Sequence, residues 1–518
     1  MKELKIPAFG EVSFKENKTN ARARVFVISD VDADAFGAYC KLLSDNGYEK
    51  KESFSRPLQS YAAYKKGSEG IFLNYFTALR ELYIVEEQEC MYFSYSDRSA
   101  NACVSAQITQ VELEDFGASY AIRLPDGRFI VIDGGREFES DAERLWNCLR
   151  EGSPDERPVI AMWILTHPHS DHFHGFMTFM DKYGDRVKVE KFLLNFPEHD
   201  DLEHYPTLAY KDVRFKDSSA YTNIPVMYDR IAKTGAPVYM AHTGQKYRIG
   251  DAELEILSCM DDTIHLTDSV NAISLIMRME LCGQVILWAT DGPFSTTRLP
   301  EKFGEYLKSD ILQVPHHGFT GGTAEGEIEG YKLIRPKVCL MPVSDFNAYY
   351  VFCAHKGGTK YLMTKAGIDE MITGTPQRTI TLPYTAPESA KQELYEKYTH
   401  GQNSSGARTW IFTDLCTAEP EDFMFTFLNT THNTATVWIE LFFEDHHKNV
   451  RYIKVEVRSC GLRRYCIIGD DVDGDAVFFN WMSLKELGVP ENAHFAARFM
   501  SDVPIVVSHR THTPSHKA

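Results

Sequence analysis

The stretch "THPHSDHFHG", residues 166–175, places four of the chain's 19 histidines and one aspartate within ten residues. The residues that lead into it, "PVIAMWILT" (158–166), form an apolar run that is typical of a β-strand buried on both faces. In layered α/β proteins, reactive side chains commonly stand where the chain leaves the carboxyl end of such a strand. The spacing therefore favours a metal site over a chance cluster of surface histidines.

The spacing within this stretch suits two adjacent metal ions. His167 and His169 are two residues apart, so an extended segment directs both side chains to the same side. Asp171 and His172 follow where the chain enters a helix. Imidazole nitrogen and carboxylate oxygen suit zinc, and also manganese or iron. We predict that the first pair binds one ion and the second pair the other, with His174 on the helix surface.

Two later strand ends offer the further ligands that a pair of ions needs. "QVILWATDG" (284–292) nearly ends with Asp291, whose carboxylate is placed to bridge both ions. "DILQVPHHG" (310–318) ends a third strand with His316 and His317. Because neighbouring side chains alternate on an extended strand, one of these histidines is expected to face the metals and the other the substrate.

Length, charge and cysteine usage limit the class of protein. The 518 residues exceed one hydrophobic core and predict about three domains. The formal net charge of −18 argues against binding of duplex nucleic acid, because such a surface repels phosphate. The 11 cysteines include no CxxC pair, which predicts reduced thiols and a cytoplasmic location. No apolar run is long enough to span a membrane, and no signal peptide is recognisable.

The order of predicted elements divides the chain into three folded regions and a connector. Residues 1–105 predict a small α+β domain, and residues 106–385 alternate strands and helices as layered α/β domains do. Residues 386–407 are polar and predict a linker with a short helix in it. Residues 408–518 contain short strands separated by turn residues, which predicts a β-sandwich.

The order of "IDGG", "THPHSDH", "TDG" and "VPHHG" along the chain resembles the metallo-β-lactamase fold superfamily. The resemblance covers about residues 110–385 and implies a four-layer αββα sandwich with metals at one edge. More narrowly, the chain looks like the branch that contains the C-terminal domain of bacterial DNA-uptake competence proteins and the pneumococcal-type phosphorylcholine esterases. That branch has an Asn-x-x-Ser pattern before the aspartate, here Asn271 and Ser274, and a later asparagine and histidine, here Asn347 and His355.

The resemblance implies a role for each candidate residue. Other members read Val-Pro-Gly-His-Gly at the last motif, which aligns His317 as the ligand and leaves His316 facing substrate. The implied metal ligands are His167, His169, Asp171, His172, Asp291 (bridging) and His317. The implied catalytic residues are Asp171, His316 and His355. The residues implied to support the metal ligands without binding a metal themselves are Asp133, Asn271 and Ser274.

Three departures from the family pattern concern the ligand set and the substrate. Many members carry a further histidine ligand between the first cluster and the bridging aspartate, and His265 does not stand in the usual context of that ligand. Phe319 occupies the place of a serine after His-His-Gly, and Lys356 that of a proline after His355.

Residues 408–518, with "RTWIFTD" and "MSDVPIVVSHRT", resemble the soluble transducer of a cyanobacterial sensory rhodopsin, which implies that they bind a ligand or protein partner.

The site and the resemblance together predict a metal-dependent hydrolase that cleaves a phosphodiester-type bond with a metal-bound hydroxide. One or two divalent ions are expected, with zinc first and manganese or iron as alternatives. The expected partner is a small-molecule or phosphodiester substrate, without a membrane. Two alternatives remain at this point: the same metals hydrolyse a lactone, lactam or thioester, or the chain is a sensor or scaffold with a vestigial metal site.

Overall fold

The computed structural model describes most of the chain. The described residues are 14–18, 23–90, 94–97, 102–114, 116–197, 220–319, 327–344, 348, 358–398, 407–416, 423–429, 435–443, 451–457, 461–466 and 494–511. They fall into two compact units, one within residues 1–391 and the other within residues 392–518. Among these residues, no helix combines the length and the apolar character needed to cross a membrane.

The first part of the chain forms an antiparallel sheet with one helix on its face. Helix Ala33–Asp45 begins after Asp32, whose carboxylate accepts hydrogen bonds from the helix N-terminus. It buries Ala35, Tyr39 and Leu43, which share one helical face because they are four residues apart. The strands of the sheet, in spatial order, are Phe14–Lys18, Ala23–Ile28, Glu81–Glu87, Glu69–Phe76, Gln59–Lys66 and Glu49–Arg56.

Two eight-stranded sheets follow. The strands of the first, in spatial order, are Val238–Met240, Phe192–Leu194, Val159–Ile164, Phe129–Ile132, Tyr120–Arg123, Gln107–Gln110 and Arg378–Thr381, with Lys188–Val189 also pairing with Val159–Ile164. The strands of the second are Glu370–Thr375, Val338–Ser344, Ile311–Gln313, Gln284–Trp288, Ile276–Leu281, Ala252–Ser258, Lys246–Ile249 and Tyr95–Asp97.

Apolar side chains from the two sheets share one core. Ile130 and Met162 of the first sheet belong to the same buried cluster as Met277 and Trp288 of the second. A separate core covers the first sheet on its other face, where the packing elements are helices Glu139–Gly152, Ser170–Tyr183 and Ala220–Thr234. The shorter helices of this unit are Met260–Thr263, Phe294–Thr297, Leu299–Phe303, Ile328–Ile334 and Gly358–Thr364. The predicted α/β fold class is confirmed.

One strand of the second sheet lies before the predicted domain boundary at residue 105. Strand Tyr95–Asp97 pairs in parallel with Lys246–Ile249. Its Asp97 carboxylate also accepts a 2.8 Å bond from the Arg128 guanidinium. A strand of three residues carries no periodicity that would have revealed it in the sequence. The division of the chain at residues 105, 385 and 407 stays a prediction.

The second unit is built from antiparallel strands. Helix Glu388–Tyr398, within the predicted linker 386–407, precedes them. Residues 495–501 of the long strand His494–Thr511 pair with residues 437–443, and residues 506–511 pair with the strand Phe423–Asn429. The strands, in spatial order, are Arg451–Val457, Ala435–Phe443, His494–Thr511, Phe423–Asn429 and Gly461–Cys466, with Ala407–Cys416 also pairing with His494–Thr511.

Candidate metal centre

Three strand ends bring the candidate ligands together. His167 follows strand Val159–Ile164 of the first sheet, Asp291 follows Gln284–Trp288 of the second, and the turn that holds His317 follows Ile311–Gln313. The last two strands are parallel neighbours, so their carboxyl ends meet at one edge. The Leu275 amide donates to the Thr166 carbonyl across the two sheets at 3.1 Å. This bond holds the first histidine cluster next to the second sheet.

The ligand atoms form two overlapping buried groups. His167, His172 and Asp291 form one group, and Asp171, His172 and His317 form the other, with all ligand atoms of each group within 4.8 Å of one another. His172 Nε2, which both groups share, lies 3.3 Å from Asp291 Oδ1 and 3.2 Å from His317 Nε2. His317 Nε2 lies 3.1 Å from Asp171 Oδ2. This spacing leaves room for one or two ions among these five side chains.

Asp133 sets the orientation of His172. Its Oδ2 accepts the Nδ1–H of His172 at 2.8 Å, and its two oxygens also accept the amide and hydroxyl of Thr166. A neutral His172 then presents the lone pair of Nε2 to the cluster, as metal-binding histidines do when a carboxylate holds the other nitrogen. Asp133 thus contacts both His172 and Thr166, and its supporting role stays a prediction.

Electrostatics at the cluster favour a cation. Burial lowers the pKa of His172, but the carboxylates of Asp291 and its neighbours raise it by more, so that the pKa lies well above its usual range. Burial raises the pKa of Asp291, and the imidazoles of His172 and His317 lower it by more, to well below its usual range. Carboxylates that stay ionised in a buried site need positive charge beside them.

The donor set of this cluster fits divalent metal ions. Asp291 Oδ1 is buried and has no well-aligned hydrogen-bond partner among the described residues. A buried polar atom without a partner is energetically costly, and a cation between the two donor groups would satisfy it. Imidazole nitrogens and carboxylate oxygens are ligands that zinc, manganese and iron all accept.

Comparison with known families agrees with this geometry. Residues 113–254 match the sequence model of the Metallo-beta-lactamase superfamily. The chain contains a metallo-beta-lactamase superfamily domain. Membership of this superfamily implies a metal-dependent hydrolase. None of the curated proteins matches the chain in sequence.

Several solved structures are similar to parts of the chain. A Thermotoga maritima protein is 22% identical and covers 22% of this chain and 87% of its own, with a TM-score of 0.17. The Anabaena sensory rhodopsin transducer is 20% identical and covers 20% of this chain and 83% of its own, with a TM-score of 0.15. Zn(2+)-bound PqqB from Methylobacterium extorquens is 12% identical and covers 38% and 58%, with a TM-score of 0.24. At these TM-scores the likenesses carry no argument about function.

The two adjacent histidines, His316 and His317, are not on an extended strand end, which corrects the conformation predicted for them. Both lie in the turn Pro315–Gly318 and have left-handed backbones, with φ values of 50° and 52°. The turn buries His317 among the ligands. His316 is half-buried at the edge of the site, where its Nε2 lies 3.2 Å from Asn271 Nδ2. A left-handed turn, rather than strand alternation, separates the two rings.

The remaining candidates that the structure describes, His169, Ser274 and Asn271, lie beside this centre. His169 caps helix Ser170–Tyr183, and its Nδ1 is 3.1 Å from His167 Nε2. Ser274 is buried beside Asn271, and its hydroxyl forms no hydrogen bond within the described part of the chain. Asn347 and His355 lie outside the described residues. The roles assigned to these residues stay predictions.

His174 is buried, so its predicted place on the helix surface is wrong. Its Nδ1 lies 3.4 Å from Glu137 Oε2, and its Nε2 lies 2.9 Å from Asn223 Nδ2. Helix Ser170–Tyr183 is packed by helices on both sides, which leaves little of its surface open. The contacts of His174 are separate from both donor groups, so it is not a ligand candidate.

His242 is a buried histidine that was not identified from the sequence. It follows strand Val238–Met240, which belongs to the same eight-stranded sheet as the strand before His167. It is fully buried, with Nδ1 2.6 Å from Asp261 Oδ2 and Nε2 3.2 Å from Glu87 Oε2. Burial lowers its pKa, but Asp261 and Glu87 raise it by more, to about 10. Because carboxylates occupy both ring nitrogens, His242 does not replace the additional histidine ligand that many members of the superfamily carry.

Metal content is expected to distinguish His169 from His174. His169→Ala removes an imidazole that lies beside His167 and should lower the bound metal per chain. His174→Ala removes a histidine with contacts elsewhere and should leave the metal content unchanged. Elemental analysis of the two purified variants measures this difference. Equal metal loss in both variants would show that the effect comes from disturbance of their shared helix.

The stability that His242 contributes is expected to fall as the pH rises. Its pKa is about 10 in the folded protein and about 6.5 in an unfolded chain. The folded state therefore binds the proton more tightly, and the contribution is complete below about pH 6.5 and is lost progressively up to about pH 10. Urea unfolding at about pH 6.5, 8 and 9.5 tests this sign. His242→Gln should flatten the dependence, and an unchanged slope would contradict the assignment.

Proposed function

We propose that the chain is a hydrolase of phosphodiester-type bonds that uses one or two divalent metal ions. The observation that carries the proposal is the pair of buried donor groups that share His172 at three converging strand ends. The proposed ligands are His167, His169, Asp171, His172, Asp291 and His317. A divalent ion bound there would lower the pKa of its bound water toward neutrality and would polarise the bond that is cleaved.

Two residues of this chain are proposed to handle protons. The ionised carboxylate of Asp171 accepts a hydrogen bond from the attacking water and so orients it. The Asn271 amide donates to His316 Nε2, which places the ring proton on Nδ1. From the edge of the site, that N–H can donate to the oxygen of the leaving group. His355 stays a prediction as a second residue on the substrate side.

Zinc is the ion that we propose first. Imidazole and carboxylate ligands in a buried site suit zinc, and manganese or iron accept the same donors.

We also propose that the protein works in the reducing environment of the cytoplasm. Seven of the cysteines are free thiols: Cys40, Cys90, Cys103, Cys148, Cys259, Cys282 and Cys339.

The second unit is proposed to bind a ligand or a protein partner. Its strand Ala435–Phe443 buries Val437 and Ile439 on one side, while Trp438 and Phe442 are each 39% exposed. Exposed aromatic rings on one sheet face are common where a protein contacts a partner. This support is independent of the metal centre.

The experiment that tests the function is hydrolysis of bis(p-nitrophenyl) phosphate by metal-loaded and chelated protein. We expect turnover with the loaded protein, loss of at least about 100-fold after chelation, and recovery when zinc or manganese is added back. Asp291→Asn should lower both metal content and turnover. Asp155→Asn, at an exposed position away from the centre, should change neither.

The outcomes separate the candidate functions. Hydrolysis of chromogenic lactones, lactams or thioesters without hydrolysis of diesters would favour the carbonyl alternative. Metal binding without turnover on either class would favour a sensor or scaffold. Purified protein without zinc, manganese or iron, after expression in a medium that contains all three, would contradict the metal centre itself.

A further inference from the structure

An aromatic side chain lies exposed beside the proposed ligands. Phe116 is 36% exposed, although it sits in the first unit close to a buried centre. Its ring centroid is 6.1 Å from that of His317 and 6.2 Å from that of Phe319, and both rings meet it edge-on. An exposed apolar ring next to buried ligands is available to contact a bound substrate.

A guanidinium group covers one face of this ring. Arg136 Cζ lies 4.4 Å from the Phe116 ring centroid, and Arg136 Nε donates to the Phe116 carbonyl at 3.3 Å. Stacking on a ring is a geometry that arginine favours, and it leaves the positive charge near the mouth of the site. A planar apolar surface and a positive charge therefore occur together beside His317.

The backbone holds this pair in a fixed place relative to the ligands. The Ala118 amide donates to the carbonyl of Asp171 at 3.0 Å, and the Gly135 amide donates to the carbonyl of Ala118 at 2.9 Å. A Cβ atom on Gly117 would lie 2.7 Å from the Asp171 carbonyl, so only glycine permits this approach. The segments that carry Phe116 and Arg136 are thus tied directly to a proposed ligand.

We propose that Phe116 and Arg136 form a wall that binds one ester substituent of the substrate, and that this substituent is a planar aromatic group. The proposal rests on the diester hydrolysis proposed above. The ring of Phe116 stacks on the planar group, as aromatic side chains do with bases, and Arg136 attracts the anionic phosphate. His316, the proposed donor to the leaving group, contacts Asn271 on another segment. In this assignment His316 serves the leaving group, and the wall takes the substituent that stays on phosphorus.

Two substrates with the same leaving group test this assignment. Bis(p-nitrophenyl) phosphate keeps an aromatic group after cleavage, whereas methyl p-nitrophenyl phosphate keeps a methyl group. Phe116→Ala should lower kcat/KM about tenfold for the aromatic diester and by much less for the methyl diester. Phe116→Tyr should restore the preference. Arg136→Gln should lower kcat/KM for both diesters, because both carry the same charge.

A matched control lies in the antiparallel sheet of the first part of the chain. Phe54 of strand Glu49–Arg56 is half-buried, and Arg56 Cζ lies 4.9 Å from its ring centroid, so Phe54→Ala removes a similar pair on a strand that carries none of the proposed ligands. It should change kcat/KM for neither substrate. Metal content is measured in every variant, because a loss of metal would mimic a loss of substrate binding. Equal effects of Phe116→Ala on both diesters would overturn the proposal.

A binding measurement keeps this test separate from the test of the proposed function. Calorimetric titration of metal-free protein with bis(p-nitrophenyl) phosphate should give a dissociation constant that Phe116→Ala raises about tenfold. If the wild-type protein hydrolyses neither diester, the proposed function fails, and the titration alone decides about the wall. No binding by the wild-type protein, or binding that Phe116→Ala leaves unchanged, would overturn it.

Discussion

His317→Ala is expected to lower metal content and hydrolysis together, whereas His316→Ala should keep the metal and lower turnover by about 10²–10⁴-fold. The reason is geometric. His317 is buried with Nε2 3.1 Å from Asp171 Oδ2, inside one of the two donor groups. His316 points to Asn271 at the edge of the site, where it can reach a substrate oxygen but belongs to neither group. Two neighbouring residues of one type are thus expected to differ in function.

Elemental analysis and diester hydrolysis on the same protein samples measure this split. His316→Gln provides a second variant, because it keeps a side chain of similar length without a titratable ring. His174→Ala serves as the control for loss of a buried histidine outside the centre. If His316→Ala loses the metal and His317→Ala keeps it, the two roles are reversed. If neither change affects metal or turnover, the centre lies elsewhere.

Local patterns in the sequence were sufficient to find the three strand ends. His167, Asp291 and His317 each follow a short apolar run, and such a run followed by polar residues is visible without any knowledge of the fold. The α/β class follows from the same alternation of strands and helices. What the pattern cannot contain is the backbone of the turn Pro315–Gly318, because left-handed conformations at two successive histidines are imposed by the surrounding structure.

Contacts between distant parts of the chain were the main feature that the sequence did not reveal. His174 has the spacing of an exposed helix position, yet a neighbouring helix supplies Asn223 and covers it. His242 is held by Glu87, which lies 155 residues earlier in the chain. Each of these partners is an ordinary surface residue type in its own segment. Such pairings depend on tertiary packing, which a single sequence without an alignment does not display.

Lys302→Met is expected to destabilise the first unit by about 3–5 kcal/mol, because it leaves a buried carboxylate without its cation. Lys302 is fully buried. Its Nζ lies 2.9 Å from Asp262 Oδ1 and 5.0 Å from the centroid of the Phe76 ring. The second oxygen of Asp262 accepts the Cys259 amide at 3.1 Å, so the carboxylate cannot turn away to water. Urea unfolding of the full chain, followed by tryptophan fluorescence, measures the loss.

Two further variants distinguish a lost charge pair from lost packing. Asp262→Asn added to Lys302→Met removes the unpaired charge and should recover part of the stability, since residues in contact do not act additively. Lys332→Met removes an exposed lysine that pairs with Glu329 three residues away, and it should barely move the unfolding midpoint. If Lys302→Met behaves like Lys332→Met, the pair with Asp262 contributes no more than a surface ion pair does. A double variant no more stable than Lys302→Met alone would instead assign the loss to packing against Phe76.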